Sequence, residues 1–161
     1  MVDLWLFFPL VITLHNLEEA VWLPRWSRSA GKLYRPVESD EFYFAALFVT
    51  ILAYVVTFMA VEFPSSRILS GVFHGFLGAM ILNTFVPHLT LTILLRKYSP
   101  GLLTGLFLMV PVNSMILYQS IAAGVISRSD LLIFTLVVSM ALLSLLPLLF
   151  KIGRYLTAML K

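Results

Sequence analysis

Cysteine is absent from the 161 residues of this chain, which excludes disulfides, thiolate metal sites and thiol nucleophiles. Charge is scarce as well. Asp, Glu, Lys and Arg make up 12% of the residues, against about 25% in a typical soluble domain. These shortages exclude a disordered tail, a secreted disulfide scaffold and a charge-driven nucleic-acid binder. The net charge of +3 rests on 11 basic residues scattered along the chain, so no nucleic-acid partner is expected. Apolar residues are abundant: 60% of the chain is hydrophobic and the mean hydropathy is +0.98. The chain reads as a small integral membrane protein whose chemistry must come from His, Asp, Glu and Asn.

A membrane-crossing helix needs about 20 mostly apolar residues. Five stretches meet this, at 2–23, 42–62, 68–95, 101–124 and 131–150. The first begins without Lys or Arg, carries Asp3 and leads into two carboxylates, so it is expected to be retained and not cleaved as a signal peptide. The loop 24–41 holds Arg25, Arg28, Lys32 and Arg35. The loop 96–100 holds Arg96 and Lys97, and the tail holds Lys151, Arg154 and Lys161. The alternate connections hold only Arg67 and Arg128. Basic loops stay cytoplasmic. The expected fold is therefore all-α: a single transmembrane domain, 1–161, of five helices with the N-terminus outside and the C-terminus cytoplasmic. In the tail 151–161, Ile152, Tyr155, Leu156 and Met159 fall at helical spacing. That segment reads either as a short helix on the inner leaflet or as a continuation of the fifth span. Gly71, Gly75 and Gly78 form a small-residue stripe that permits close helix approach. No targeting segment beyond the spans is visible, which suits a prokaryotic cytoplasmic membrane.

A charge at mid-membrane costs about 2.5–3.5 kcal/mol on insertion scales, so each needs a reason. The first span contains His15, Glu18 and Glu19 in the run HNLEE. At about 100° per residue, Glu18 falls about 60° to one side of His15 and Glu19 about 40° to the other. All three share one face. With about 1.5 Å of rise per residue, His15 lies about 4 Å to the cytoplasmic side of the bilayer centre and the two carboxylates about 8–10 Å. On the third span Asn83 falls near the centre and His88 about 10 Å to the cytoplasmic side, level with Glu19. Asn113 on the fourth span is at mid-depth, and Glu41 lies a little below Glu19. These residues are expected to converge on a pocket open toward the cytoplasm. His74 lies about 11 Å to the opposite side, level with Tyr118 and Gln119, and about 21 Å from His88 along the axis. It is expected to stand apart.

Two imidazoles and up to three carboxylates match the ligand set of Zn²⁺, or of non-haem iron or manganese. The expected assignment makes His15, Glu19 and His88 ligands of a divalent ion. Glu41 would complete the shell or hold a second ion, Glu18 would act as general base, and Asn83 and Asn113 would line the site. Such a centre could hydrolyse an ester, amide or phosphate. By its i, i+4 spacing the motif is similar to that of the zincins, but it lacks their second histidine.

The segment HNLEEAVWLPRWS, the later EFYFA, the pair of Asn83 with Pro87–His88, and the run RKYSPGLLTG together resemble the HxxEE family of small membrane proteins. The resemblance extends from about residue 10 to 114. It implies that His15, Glu18, Glu19, Glu41, Asn83 and His88 are the family's polar set and that a metal-dependent enzymatic role goes with the motif. It supplies no substrate. Three function classes follow: a metal-dependent membrane hydrolase of a lipidic or membrane-associated substrate, an ion or proton carrier, and a non-catalytic membrane partner. Membrane lipids are the expected partners.

Overall fold

The computed structural model describes residues 2–31 and 34–159, with side chains from residue 4 onward. Lys32 and Lys161, two of the charges used to orient the chain, and the side chain of Asp3 lie outside the described residues. The described residues contain helices and no strand. A short helix α1 (Val2–Trp5) precedes five long ones: α2 (Phe7–Ser27), α3 (Ser39–Glu62), α4 (Arg67–Leu95), α5 (Leu102–Ala122) and α6 (Arg128–Met159). Four of them, α3 to α6, are long and apolar enough to cross a membrane. Helix α2 has 21 residues but carries His15, Asn16, Glu18, Glu19 and Arg25, which dilute its hydropathy. Its length matches a span and its composition does not.

The bundle is held by close approach, because lipid tails are as apolar as leucine and give little hydrophobic drive between helices. Helix α4 lies directly on α6 through the expected glycine stripe. A Cβ on Gly71 would fall 2.3 Å from the Phe134 ring, one on Gly75 2.6 Å from the Phe134 carbonyl oxygen, and one on Gly78 2.2 Å from Thr135 Oγ1. Arg67 and Asp130 pair at 2.8 Å at the start of the same two helices. Asn16 ties α2 to α3, donating to Thr50 Oγ1 at 2.7 Å and to the Ala46 carbonyl at 3.3 Å. Trp5, Phe8, Phe73 and Phe76 fill the centre of one half of the bundle, with ring centroids 4.9–6.0 Å apart. Helix α6 runs unbroken to Met159. The described part of the tail is thus a continuation of that helix and not a separate interfacial one.

Two helices depart from regular geometry. Helix α4 is kinked within Thr84–Leu89, where Val86 leaves helical geometry (φ −131°, ψ 106°) just before Pro87. Proline has no N–H and its ring clashes with the preceding turn, which accounts for the break. Helix α5 has a π-type turn at Gly105–Met109. The two irregular stretches face each other: a Cβ on Gly105 would meet Thr84 Cγ2 at 2.7 Å. Such turns concentrate at functional sites.

Candidate metal centre

The i, i+4 spacing stacks His15 and Glu19 on one face of α2, which is the face turned toward the break in α4. In a straight helix Asn83 and His88, five residues apart, would diverge by about 140° around the axis. The kink at Val86 and Pro87 interrupts that regular progression and turns His88 back toward Asn83. As a result Asn83 Nδ2 lies 3.1 Å from His88 Nε2 and 3.4 Å from His15 Nε2. His88 Nε2 is 3.1 Å from Glu19 Oε1, and the two imidazoles meet edge to face at 5.3 Å. One donor atom from each of His15, Glu19 and His88 falls within 4.8 Å of the others, so the group could hold a metal ion.

Hydrogen bonding sets one tautomer. Thr104 Oγ1 donates to Glu18 Oε2 at 2.6 Å, so its contact with His15 Nδ1 at 3.1 Å must accept the imidazole N–H. Nε2 of His15 then carries a lone pair on the side of Asn83. An imidazole whose second nitrogen is fixed by a hydroxyl–carboxylate chain is the usual arrangement behind a metal-binding histidine. Two imidazole nitrogens thus flank the Asn83 amide, and a carboxylate oxygen lies against one of them. That donor set fits a divalent ion, and the Asn83 amide, turned over, presents its oxygen at the same place. His15 and His88 are buried, and His88 Nδ1 has no hydrogen-bond partner among the described residues.

Glu18, expected as the general base, is engaged elsewhere. Its carboxylate accepts from the Gly101 N–H at 2.8 Å, the Thr104 N–H at 2.9 Å, the Thr104 hydroxyl and the Tyr98 hydroxyl. Four donors leave little lone-pair capacity for a water, so Glu18 pins the 98–104 turn and, through Thr104, orients His15. The Tyr98 phenol also accepts from the Leu103 N–H at 3.1 Å. Burial, followed by its bond to Glu18, pushes its pKa up to about 12. The pinned turn lies against the imidazoles: a Cβ on Gly101 (φ +91°) would fall 2.7 Å from His88 Cε1 and 3.0 Å from His15 Cε1. Only glycine fits there, on both backbone and steric grounds.

Glu41 does not join the group. Its carboxylate pairs with Arg154 Nε at 2.8 Å and links α3 to the end of α6. Depth and the family resemblance both point Glu41 toward the pocket, and neither takes account of the direction around the helix. Asn113 also sits apart, donating to the Leu77 carbonyl at 3.1 Å and so joining α5 to α4. His74 is outside the group, its Nδ1 2.7 Å from the Ser70 carbonyl of its own helix. Sequence reasoning missed Tyr98, Gly101 and Thr104 as site residues. The signal was present in the run RKYSPGLLTG, which carries all three residues and a Pro100–Gly101 pair that favours a tight turn.

The description "Protein of unknown function with HXXEE motif" matches residues 5–116. The chain belongs to the HXXEE family. This HXXEE protein is also 50% identical, over 91% of its length, to the uncharacterised protein YrkK of Bacillus subtilis (strain 168), of which the match covers 93%. No solved structure matches it. The motif's first histidine and second glutamate, His15 and Glu19, are in the metal-capable group, and its first glutamate, Glu18, holds the adjoining turn.

Proposed function

We propose that the chain is a membrane-embedded, metal-dependent hydrolase, with His15, Glu19 and His88 as ligands of a divalent ion, zinc being the best match to two nitrogens and one oxygen. The observation that carries this reading is that one donor atom each of His15, Glu19 and His88 lies within 4.8 Å of the others, with the His15 tautomer fixed behind them. A bound divalent ion would supply Lewis acidity toward a carbonyl or phosphoryl oxygen and would acidify water. The protein's own groups do the rest. Glu18 and Thr104 hold the His15 imidazole in register, the 98–104 turn shields the site, and Asn83 supplies an amide for orienting substrate. In this reading Glu18 is a positioning residue.

All five long helices, α2 included, cross the membrane in this proposal, with the N-terminus outside and the C-terminus in the cytoplasm. The distribution of basic residues supports that orientation. The membrane is then a prokaryotic cytoplasmic one, and the substrate is lipidic or membrane-associated. An ion carrier would need a polar path through the half of the bundle around His74. The buried rings of Trp5 and Phe73 that pack against that histidine favour an enzyme instead. The test is metal analysis of the purified protein by mass spectrometry beside His15→Ala and Glu19→Ala. About one ion per chain in the wild type and loss in both variants is the expected result. A folded, metal-free wild type sinks the proposal.

A further inference from the structure

Beside the metal-capable group a groove of about 590 Å³ runs between α2 and the 98–103 segment. On α2 it is lined by Glu18, Trp22, Arg25 and Trp26, at the spacing of one helix face; across from them lie Tyr98 and Leu103. Its wall is overwhelmingly apolar, with one cation at its end. Arg25 has no carboxylate partner among the described residues, whereas Arg28, just past the end of the same helix, is paired with Glu38 at 2.8 Å. The acid on this wall, Glu18, is already engaged by four donors of the 98–104 turn. Arg25 lies seven residues beyond Glu18, about 10 Å farther along the helix axis. The groove therefore joins one cation to aromatic and aliphatic sides, and its Glu18 is bonded to the turn whose Gly101 packs on the imidazoles.

We infer that this groove binds an anionic glycerophospholipid, with the phosphate at Arg25 and the glycerol and upper acyl segments along Trp22 and Leu103. Charge complementarity selects the occupant. A guanidinium with no carboxylate partner among the described residues, on the wall of an apolar trough, suits a ligand with one phosphate and a greasy body, and aromatic rings favour the interfacial depth at which such a ligand sits. Ester carbonyls lie a few bonds deeper than the phosphate of such a lipid, which brings them toward the level of Glu18. As the substrate class of the enzyme, this inference rests on the hydrolase reading above; as a binding site it stands by itself.

The test uses full-length protein in detergent, titrated with brominated phosphatidylglycerol or brominated phosphatidylcholine, with quenching of Trp fluorescence as the readout and metal content measured in parallel. Both lipids offer the phosphate, but phosphatidylcholine sets a quaternary ammonium beside it that Arg25 repels, so wild type should bind phosphatidylglycerol about tenfold more tightly. Arg25→Gln should abolish that preference and leave metal content unchanged, while Arg28→Gln should keep it. Equal binding of the two lipids by wild type overturns the inference, as does an equal loss in Arg25→Gln and Arg28→Gln. Preference intact in a metal-free wild type retains the binding site and removes the hydrolase.

Discussion

The bundle buries histidine in two places, and the two differ in what faces the ring. His74 sits on a regular stretch of α4, bonded at Nδ1 to the carbonyl one turn back and bordered by the rings of Trp5 and Phe73 at 5.2 and 5.1 Å. His15 and His88 sit where α4 is broken and α5 is locally widened, among Glu19, Asn83, Thr104 and Gly101. The His74 ring is bonded at Nδ1 by its own helix, has no partner at Nε2 among the described residues, and faces no carboxylate in the metal-capable group. A pair whose lone pairs converge on a carboxylate needs a proton, an amide or a cation between them. Helix irregularity marks the second kind, because bringing side chains from α2, α4 and the 98–104 turn to one point requires backbone that a straight helix does not supply.

The largest test of this contrast is loss of a ligand. His15→Ala and Glu19→Ala should each abolish metal retention, whereas His74→Ala should leave it unchanged; metal-to-protein ratios after gel filtration decide this. Next is Glu18→Gln. If Glu18 positions His15 through Thr104, the amide cannot accept all four donors, and metal affinity should fall about 10–100-fold, the usual cost of losing an outer partner. Full metal retention with lost turnover would make Glu18 a base instead and break the comparison drawn here.

A third test concerns the regular half. Gly75→Ala places a methyl against the Phe134 backbone, which cannot move aside as a side-chain end can. It should destabilise the protein by about 1–3 kcal/mol, as overpacking does, with the metal ratio of the folded fraction unchanged; thermal unfolding in detergent measures the first part. The smallest effect is on pH. The Tyr98 phenol, held up at about 12, contributes stability that is complete below the ordinary phenol range near pH 10 and is lost as pH rises through the raised value. Ultraviolet titration of phenolate should therefore show one high-pH tyrosine fewer in Tyr98→Phe. An unchanged titration would remove the bond to Glu18 from the description.

Much of this was legible from residue order. The 100° step of a helix puts His15, Glu18 and Glu19 on one face whatever surrounds them, and the rise per residue levels His88 with Glu19, which the structure has 3.1 Å apart. The glycine stripe at 71, 75 and 78 announced the close contact with α6 for a similar reason, since small residues leave a trough. Depth is only one coordinate. It placed Glu41 beside Glu19, and the direction around α3 sends that carboxylate to Arg154 instead. It also could not distinguish Glu18 from Glu19, whose roles diverge because they lie on opposite sides of the His15 azimuth. One side meets α4 and the other the 98–104 turn.

Composition and periodicity alone determined that the chain is all-helical and built for a bilayer, because hydropathy and the helical repeat are local properties that no partner alters. They determined too that the HxxEE face is polar. The tertiary structure decided which polar residues meet. The break before Pro87 brings His88 back beside Asn83, and the turn through Gly101 closes over both imidazoles. Such meetings depend on angles summed along separate helices, and a local pattern does not carry that information. The shortage of charge remains the most informative property of the sequence. With so few ionisable groups on the chain, two histidines and a glutamate gathered on adjoining helices, with Glu18 alongside, are enough to mark one place as the candidate site.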